Sequence, residues 1–544
     1  MVCRSVQSPP ARRFPCTRLR RAVALMAVAT APLGAQQSTQ QSGDPRNALA
    51  ERIQRVMDRP EFKHASFGVE FYSLDDARML FAYNADKLFT AASTTKLLTE
   101  GTALQLLGAD YRFRTRVYRT GPVTAGTLKG DLVLVASGDP NLSGRIRPGD
   151  QLAFENVDHA YDASPDTRAV AGDPLAVIRA LADRVSATGI QRVDGRVLID
   201  ATMFHEGERE LGTGVVISPI VVNDNLIDLI IGPGAQTGAA TTVRVSPATA
   251  YVRFVNKSTT GAAGTRPSIS WSSDSAASDG SHIVTISGTV PADKAPILFS
   301  YAVPEPSRFA QVAFVEALRE KGITAPLSSS ATQKSFRGAP PAYVAEQLVA
   351  EHVSPPLSQE VKVTLKVSQN LHASATPFIV KAVLAREDST RTGFDLERDF
   401  LQRAGLDLGG AQQSDGAGGD AHFSPDFMVH YLEYMSKQPS FDAFFHALPV
   451  LGMDGSLWNI QTSSPAAGHV HAKTGTLGGL DALNRRLLLS AKGLAGYVVT
   501  ASGRRYAFAA YVNNVSVSLD PDAVARVAGQ ALGEIAAAGY LTLP

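Results

Sequence analysis

The chain has 544 residues, 44% of them hydrophobic and 19% charged, which is ordinary for a globular protein and long enough for two to four domains. Its formal net charge of +1 becomes −5 if the six arginines of the first 35 residues are removed, and a mildly acidic chain argues against a nucleic-acid partner, which needs a concentrated basic surface. Both cysteines, Cys3 and Cys16, fall in the same leader, which excludes a disulfide, a reactive thiol or a cysteine metal site from the remainder.

Residues 1–21 hold those six arginines and no acid, and the apolar run Ala22 to Ala31 and Leu33-Gly34-Ala35 follow. This reads as a secretory signal, residues 1–35, cleaved near Ala35, because the run is far short of the roughly 20 apolar residues that span a bilayer. A soluble periplasmic product is expected. Gln36 to Pro45 is a polar leader. Leu49, Ile53 and Val56 then have helical spacing, with Pro60 as a stop, and Ser66–Ser73 and Met79–Tyr83 read as a hairpin. A helix is expected from Thr94 to Gly108, opened by Ser93.

From about residue 110 the texture becomes β-rich, with segments at 132–135, 197–199, 226–231, 243–245, 251–255, 282–287 and 297–303. Two helices interrupt them, one opened by Asp173-Pro174 and ended by Gly189, the other from Ser307 to Gly322. The Ser-, Gly- and Ala-rich stretch Asn256–Ser281 reads as loop. Helical patterns return after about 340, most clearly at Pro377–Arg386 and Pro425–Lys437. His469–Thr476 is expected to be a strand, with further strands at Tyr497–Ala501 and Arg505–Asn513 and a closing helix over 520–540. Asn484–Gly493 looks like extra sequence between two strands.

Three strings occur in this order: Ser93-Thr94-Thr95-Lys96, Ser368-Gln369-Asn370 and Lys473-Thr474-Gly475. Any one alone is weak, since Ser-x-x-Lys is expected on the order of once by chance in such a chain. Together they match the set used by enzymes that acylate a serine with lysine as the basic partner. Residues three apart on a helix share a face, so Ser93 and Lys96 project side by side.

About 275 residues separate Ser93 from Ser368, much more than in a β-lactamase. With Gly130-Asp131-Leu132, Gly138-Asp139-Pro140, Asp194-Gly195-Arg196, Asp454-Gly455 and Val512-Asn513-Asn514, this gap makes the chain resemble the class C low-molecular-mass penicillin-binding proteins. That family comprises the D-alanyl-D-alanine carboxypeptidases and endopeptidases of the bacterial periplasm. The resemblance implies an α+β fold. A transpeptidase/β-lactamase-like domain, an antiparallel sheet flanked by helices, is interrupted by a large β-rich insertion of one or two domains. The catalytic fold would comprise 46–109 and 341–544, and the insertion 110–340, with room for a second unit nested at about 225–303.

The resemblance also implies roles. Ser93 is the nucleophile and Lys96 its base, deprotonated by burial and by repulsion from Lys473. Ser368 relays a proton to the leaving amine, and Asn370 orients Lys96 and the substrate amide. Lys473, Thr474 and Thr476 hold the terminal carboxylate, Gly475 lets the substrate backbone approach, and the N–H groups of Ser93 and Thr476 form an oxyanion hole. Gln369 replaces the family's usual aspartate, and Ala417 stands where Asp-Gly-Ser-Gly has serine. His469 and His471 are expected to be strand-face residues, and Asp139, Asn141, Asp224 and Asp228 caps and turns.

The expected substrates are peptidoglycan peptides ending in D-Ala-D-Ala, with β-lactams as inhibitors, no metal or organic cofactor, and no nucleic acid. Endopeptidase action on cross-links stays open. A serine β-lactamase or a catalytically weak peptidoglycan-binding protein is the alternative. No Glu-x-x-x-Asn follows Asn370, and intact Ser93, Lys96 and Lys473 argue against decay. The insertion is expected to position substrate and to lie outside the chemistry.

Overall fold

The computed structural model describes residues 44–161, 164–277, 280–327, 343–520 and 522–544. The signal-like leader lies outside them. Helix α1 (Pro45–Met57) starts where the Asp44 carboxylate accepts from the Arg46 N–H, with proline at the first helical position, and buries Leu49, Ile53 and Val56. Strands β1 (Ser66–Ser73) and β2 (Arg78–Tyr83) follow as the expected hairpin. Ser93 lies in a 3₁₀ turn, Ala92–Thr95, that runs into helix α2 (Lys96–Leu107).

The next stretch contributes β3 (Arg114–Arg119), β4 (Leu132–Val135), α3 (Ala176–Ala187), β5 (Val197–Asp200), β6 (Leu226–Gly232), β7 (Thr242–Ser246), β8 (Val252–Asn256), β9 (Ser270–Ala276), β10 (His282–Ser287), β11 (Ile297–Ala302) and α4 (Pro306–Glu320). β12 (Leu348–Val353) then returns to pair with β3, which carries the insertion's sheet beyond the expected boundary at 340. That sheet runs β5-β4-β3-β12, and two three-stranded sheets run β7-β6-β11 and β8-β10-β9. One apolar cluster joins them, from Leu132 and Leu181 through Ile227 and Phe299 to Phe314.

Within 256–281, expected to be loop, lie Thr259–Gly261 and β9. Register decides here: β9 pairs with β10 from Ser270 opposite Ser287 to Ala276 opposite His282, and backbone pairing of this kind needs no apolar alternation.

The chain then forms α5 (Leu357–Val367), α6 (Asn370–Leu384), α7 (Gly393–Arg403), α8 (Pro425–Ser436), α9 (Phe441–Ala447), β13 (Val470–Asp481), β14 (Arg486–Val499), β15 (Arg505–Asn513), β16 (Val515–Val517) and α10 (Gln530–Thr542). Helix α6 begins at Asn370, well before the expected Pro377. Gln369 caps it by accepting from the Leu371 N–H, and Pro377 lies inside the helix. Asn484–Gly493 is not extra sequence: β13 and β14 form one long hairpin that includes most of it.

The main sheet runs β2-β1-β15-β14-β13, antiparallel throughout, with β16 beside β14. Alternation sorts its two faces. Tyr506, Phe508, Ala510 and Val512 of β15 pack with the terminal helices α1 and α10. Ala507, Ala509 and Tyr511 pack with α2 and α8. β13 is the sheet's edge, and the cleft opens over it.

Candidate active site

Ser93 is delivered by a strained turn. Ala92, just before it, has φ 46°, a conformation unfavourable to a residue with a Cβ. The turn is seated on a bare patch of sheet. Gly475 of β13 is paired across the ladder with Gly493 of β14. A Cβ on Gly475 would stand 2.5 Å from the Ala91 carbonyl oxygen, and one on Gly493 would stand 3.1 Å from Thr94 Cγ2. The room at Gly475 is therefore needed by the protein's own nucleophile turn.

Lys96 Nζ lies 2.8 Å from Ser93 Oγ, 2.7 Å from Asn370 Oδ1 and 3.2 Å from the Ala417 carbonyl oxygen, with its side chain fully buried. Burial pushes its pKa down to about 7 against the opposing pull of Glu210, Asp415 and Glu100. The expected repulsion between the two lysines is seen at Lys473. Lys473 itself is held well below its ordinary value, first by burial and then by Lys96 and Lys492.

The Ser368-Gln369-Asn370 string is the junction of α5 and α6. Ser368 ends α5 in the left-handed region, with φ 64°, and its Oγ accepts from Lys473 Nζ at 2.8 Å. Asn370 starts α6 and reaches Lys96. Gln369 turns away from the cleft, buried, and its amide donates to Asp158 Oδ1 at 3.3 Å. An aspartate there would face Asp158 charge to charge, so glutamine suits this chain. Ala417 offers Lys96 only a backbone carbonyl, a contact that needs no serine side chain, and Asp415 forms the expected turn by accepting from the Ala417 and Gly418 N–H groups.

Thr474 Oγ1 is 2.7 Å from Ser456 Oγ, and Thr476 Oγ1 accepts from Lys492 Nζ at 2.6 Å. A cleft of about 570 Å³ brings together Ser93, Ser368, Asn370, Thr474, Thr476 and Lys492. Lys492 and Tyr161, which also line it, escape sequence reasoning. Lys492 lies in the segment read as extra, and Tyr161 lies in the insertion. The Tyr161 hydroxyl donates to the Ser368 carbonyl oxygen and lies 3.2 Å from Asn370 Oδ1, so the insertion does not stand wholly outside the site. His471 of β13 stacks on Phe445, as a strand-face side chain does, whereas His469 lies in the turn just before β13 and stacks on Tyr540.

Asp224 and Asp228 are not caps. Arg145 Nη2 is 2.5 Å from Asp158 and 2.7 Å from Asp224, His159 bridges Asp224 at 2.6 Å and Asp228 at 2.8 Å, and His372 of α6 meets Asp224 at 2.8 Å. Their partners come from distant parts of the chain, beyond any local pattern. The set Asp158, His159 and Asp224 has the spacing of a metal site. It does not fit one here, because the Arg145 guanidinium already bridges the two carboxylates.

A family model described as D-Ala-D-Ala carboxypeptidase 3 (S13) matches residues 49–532. The chain belongs to that family. A D-alanyl-D-alanine carboxypeptidase of Actinomadura sp. (strain R39) is 28% identical over 497 residues, covering 86% of this chain and 84% of that protein. The D-alanyl-D-alanine carboxypeptidase DacB of Haemophilus influenzae is 24% identical, covering 82% and 84%. The crystal structure of penicillin binding protein 4 (dacB) from Haemophilus influenzae superposes with a TM-score of 0.65 at 20% identity, covering 91% of this chain and 99% of that one, which shows the shared fold. Membership makes this chain a serine-type peptidase acting on D-Ala-D-Ala peptides. Among the described residues, no helix is long and apolar enough to cross a membrane.

Proposed function

We propose that Ser93, Lys96, Ser368, Asn370 and Lys473 form the catalytic set of a periplasmic D-Ala-D-Ala carboxypeptidase, with Thr474, Gly475 and Thr476 lining the substrate strand. The observation that carries this is Lys96 Nζ at 2.8 Å from Ser93 Oγ, with a pKa lowered to about 7. Near neutral pH a substantial fraction of Lys96 is the free amine, and it takes the Ser93 proton as Oγ bonds to the carbonyl carbon of the penultimate D-alanine. The oxyanion sits between the N–H groups of Ser93 and Thr476. As the C–N bond breaks, the proton passes through Ser368 to the departing amine. Water then adds to the Ser93 ester and releases the shortened peptide and free Ser93.

The terminal carboxylate sits beside Lys473, Thr474 and Thr476, and its charge favours reprotonation of Lys473. A β-lactam presents a strained amide and a carboxylate to the same groups and leaves an ester on Ser93. The Haemophilus protein has been crystallised complexed with a β-lactam, which supports this reading. The basic and apolar leader, residues 1–35, supports export to the periplasm. The insertion runs from about 114 to 353, its limits being the paired strands β3 and β12.

Incubation with purified muropeptides followed by mass analysis tests the activity. Loss of one alanine marks the carboxypeptidase, and scission of cross-linked dimers marks an endopeptidase. Covalent labelling by penicillin that maps to any serine other than Ser93 overturns the assignment.

A further inference from the structure

We propose that Lys492 is the specificity residue that makes this enzyme select substrates whose leaving amine carries a free α-carboxylate; the inference rests on the carboxypeptidase reading and assigns a recognition group to it.

Lys492 of β14 stands opposite Thr476 in the β13–β14 ladder, so the two side chains share a face of the sheet. Its Nζ donates to Thr476 Oγ1 at 2.6 Å, and its side chain, partly exposed, lines the same cleft as Ser93. An ammonium has three donors, and this bond uses one. Among the described residues no carboxylate forms an ion pair with it. A cation at the mouth of a cleft, lowered to about 8 by burial alone, gains most from an anion that arrives with the substrate.

Lys473 is poorly placed to do this by itself. It is fully buried on the other face of β13, where its Nζ is engaged by Ser368 Oγ and the Thr474 carbonyl oxygen. Its task is with the proton relay. Lys492 comes from the face that carries Thr474 and Thr476. A carboxylate accepting from those two hydroxyls meets the Lys492 ammonium directly. The leaving residue, terminal D-alanine, bears that carboxylate one carbon beyond the scissile nitrogen. The cation therefore disfavours a substrate ending in an amide.

The test compares a short peptide ending in D-Ala-D-Ala with the same peptide ending in D-alaninamide, for the wild type, Lys492→Met and Lys492→Arg, each checked by cooperative melting. The wild type is expected to prefer the free acid. In Lys492→Met, kcat/KM on the acid should fall about ten- to hundredfold, mainly through KM, while the amide is unchanged, and Lys492→Arg should restore the preference. Equal loss on both peptides, or an unchanged preference in Lys492→Met, overturns the proposal. If the wild type releases no alanine and penicillin leaves no adduct on Ser93, the carboxypeptidase reading itself falls and takes this inference with it.

Discussion

Lys96 and Lys473 have each lost affinity for the proton through burial. Lys96 keeps three carboxylates within electrostatic reach and stays near 7, whereas the charges that act on Lys473, those of Lys96 and Lys492, lower it as burial does. Lys96 is thus poised near the working pH, where a general base is most effective. Acylation by penicillin should follow a group titrating near 7 and fall about tenfold per pH unit below it, because the protonated ammonium cannot accept the Ser93 proton. Lys96→Arg should acylate about 10²–10⁴-fold more slowly, since guanidinium does not deprotonate in this range. Stopped-flow acylation of both proteins from pH 5 to 9 checks this, and wild-type rates in the variant would remove Lys96 from the role. Tyr161 acts through its neighbours, holding the Ser368 carbonyl and Asn370 Oδ1. Tyr161→Phe should slow small penicillins and wall peptides by the same factor, which separates positioning of the motif from recognition of a large substrate.

At the level of elements, the site depends on how closely the Ser93 turn can approach β13 and β14. Gly475 and Gly493 form the patch that receives it, and their Cβ clearances differ in kind. Gly475→Ala sets a methyl against the backbone oxygen of Ala91 at 2.5 Å, whereas Gly493→Ala meets the Tyr511 ring at 3.0 Å and a Thr94 methyl at 3.1 Å. Side chains give way more readily than backbone. Gly493→Ala should cost about 1–3 kcal/mol, the usual range for overpacking, and Gly475→Ala more, with acylation falling further in the latter. Urea melts and penicillin labelling read both quantities.

The sequence announces Gly475 because it stands in a string that marks the family, but Gly493 and Lys492 have no such string. They enter through strand register, which the linear sequence of Asn484–Gly493 does not reveal. Tyr161 enters through chain closure across some 200 residues. The hairpin, α8 and the alternating strands are legible because spacing encodes them, and the catalytic trio because its three strings match a known set. The start of α6 is not, because the helix runs through Pro377 from Asn370, and neither is β9, whose polar residues match loop composition.

Across the whole molecule, a buried ionic cluster ties the insertion to the catalytic helices. Arg145, Asp158, His159, Asp224 and Asp228 come from the insertion, whereas His372 of α6 and Glu360 of α5, 2.8 Å from His372 Nδ1, belong to the catalytic part. Burial opposes charge on His372, but Glu360 and Asp224 outweigh it and lift its pKa to about 10; His159 is likewise raised well above its ordinary value, by Asp228 and Asp158. Both imidazoles are therefore cations at neutral pH. Removing the insertion would strip His372 of Asp224 just two residues after Asn370, so the helix that carries the motif relies on charges it does not itself supply. A raised folded pKa stabilises fully below the unfolded value of about 6.5, and that contribution is lost as pH rises towards about 10. His372→Gln keeps much of the shape and removes the charge. It should cost about 3–5 kcal/mol at pH 6.5, because Asp224 and Glu360 lose a buried counter-charge. The gap between wild type and variant should then narrow steadily through pH 8 and 9.5. Urea unfolding at the three pH values measures it. A gap that stays constant would mean that His372 contributes shape and hydrogen bonds but no charge, and that the cluster does not hold insertion and catalytic helices together electrostatically.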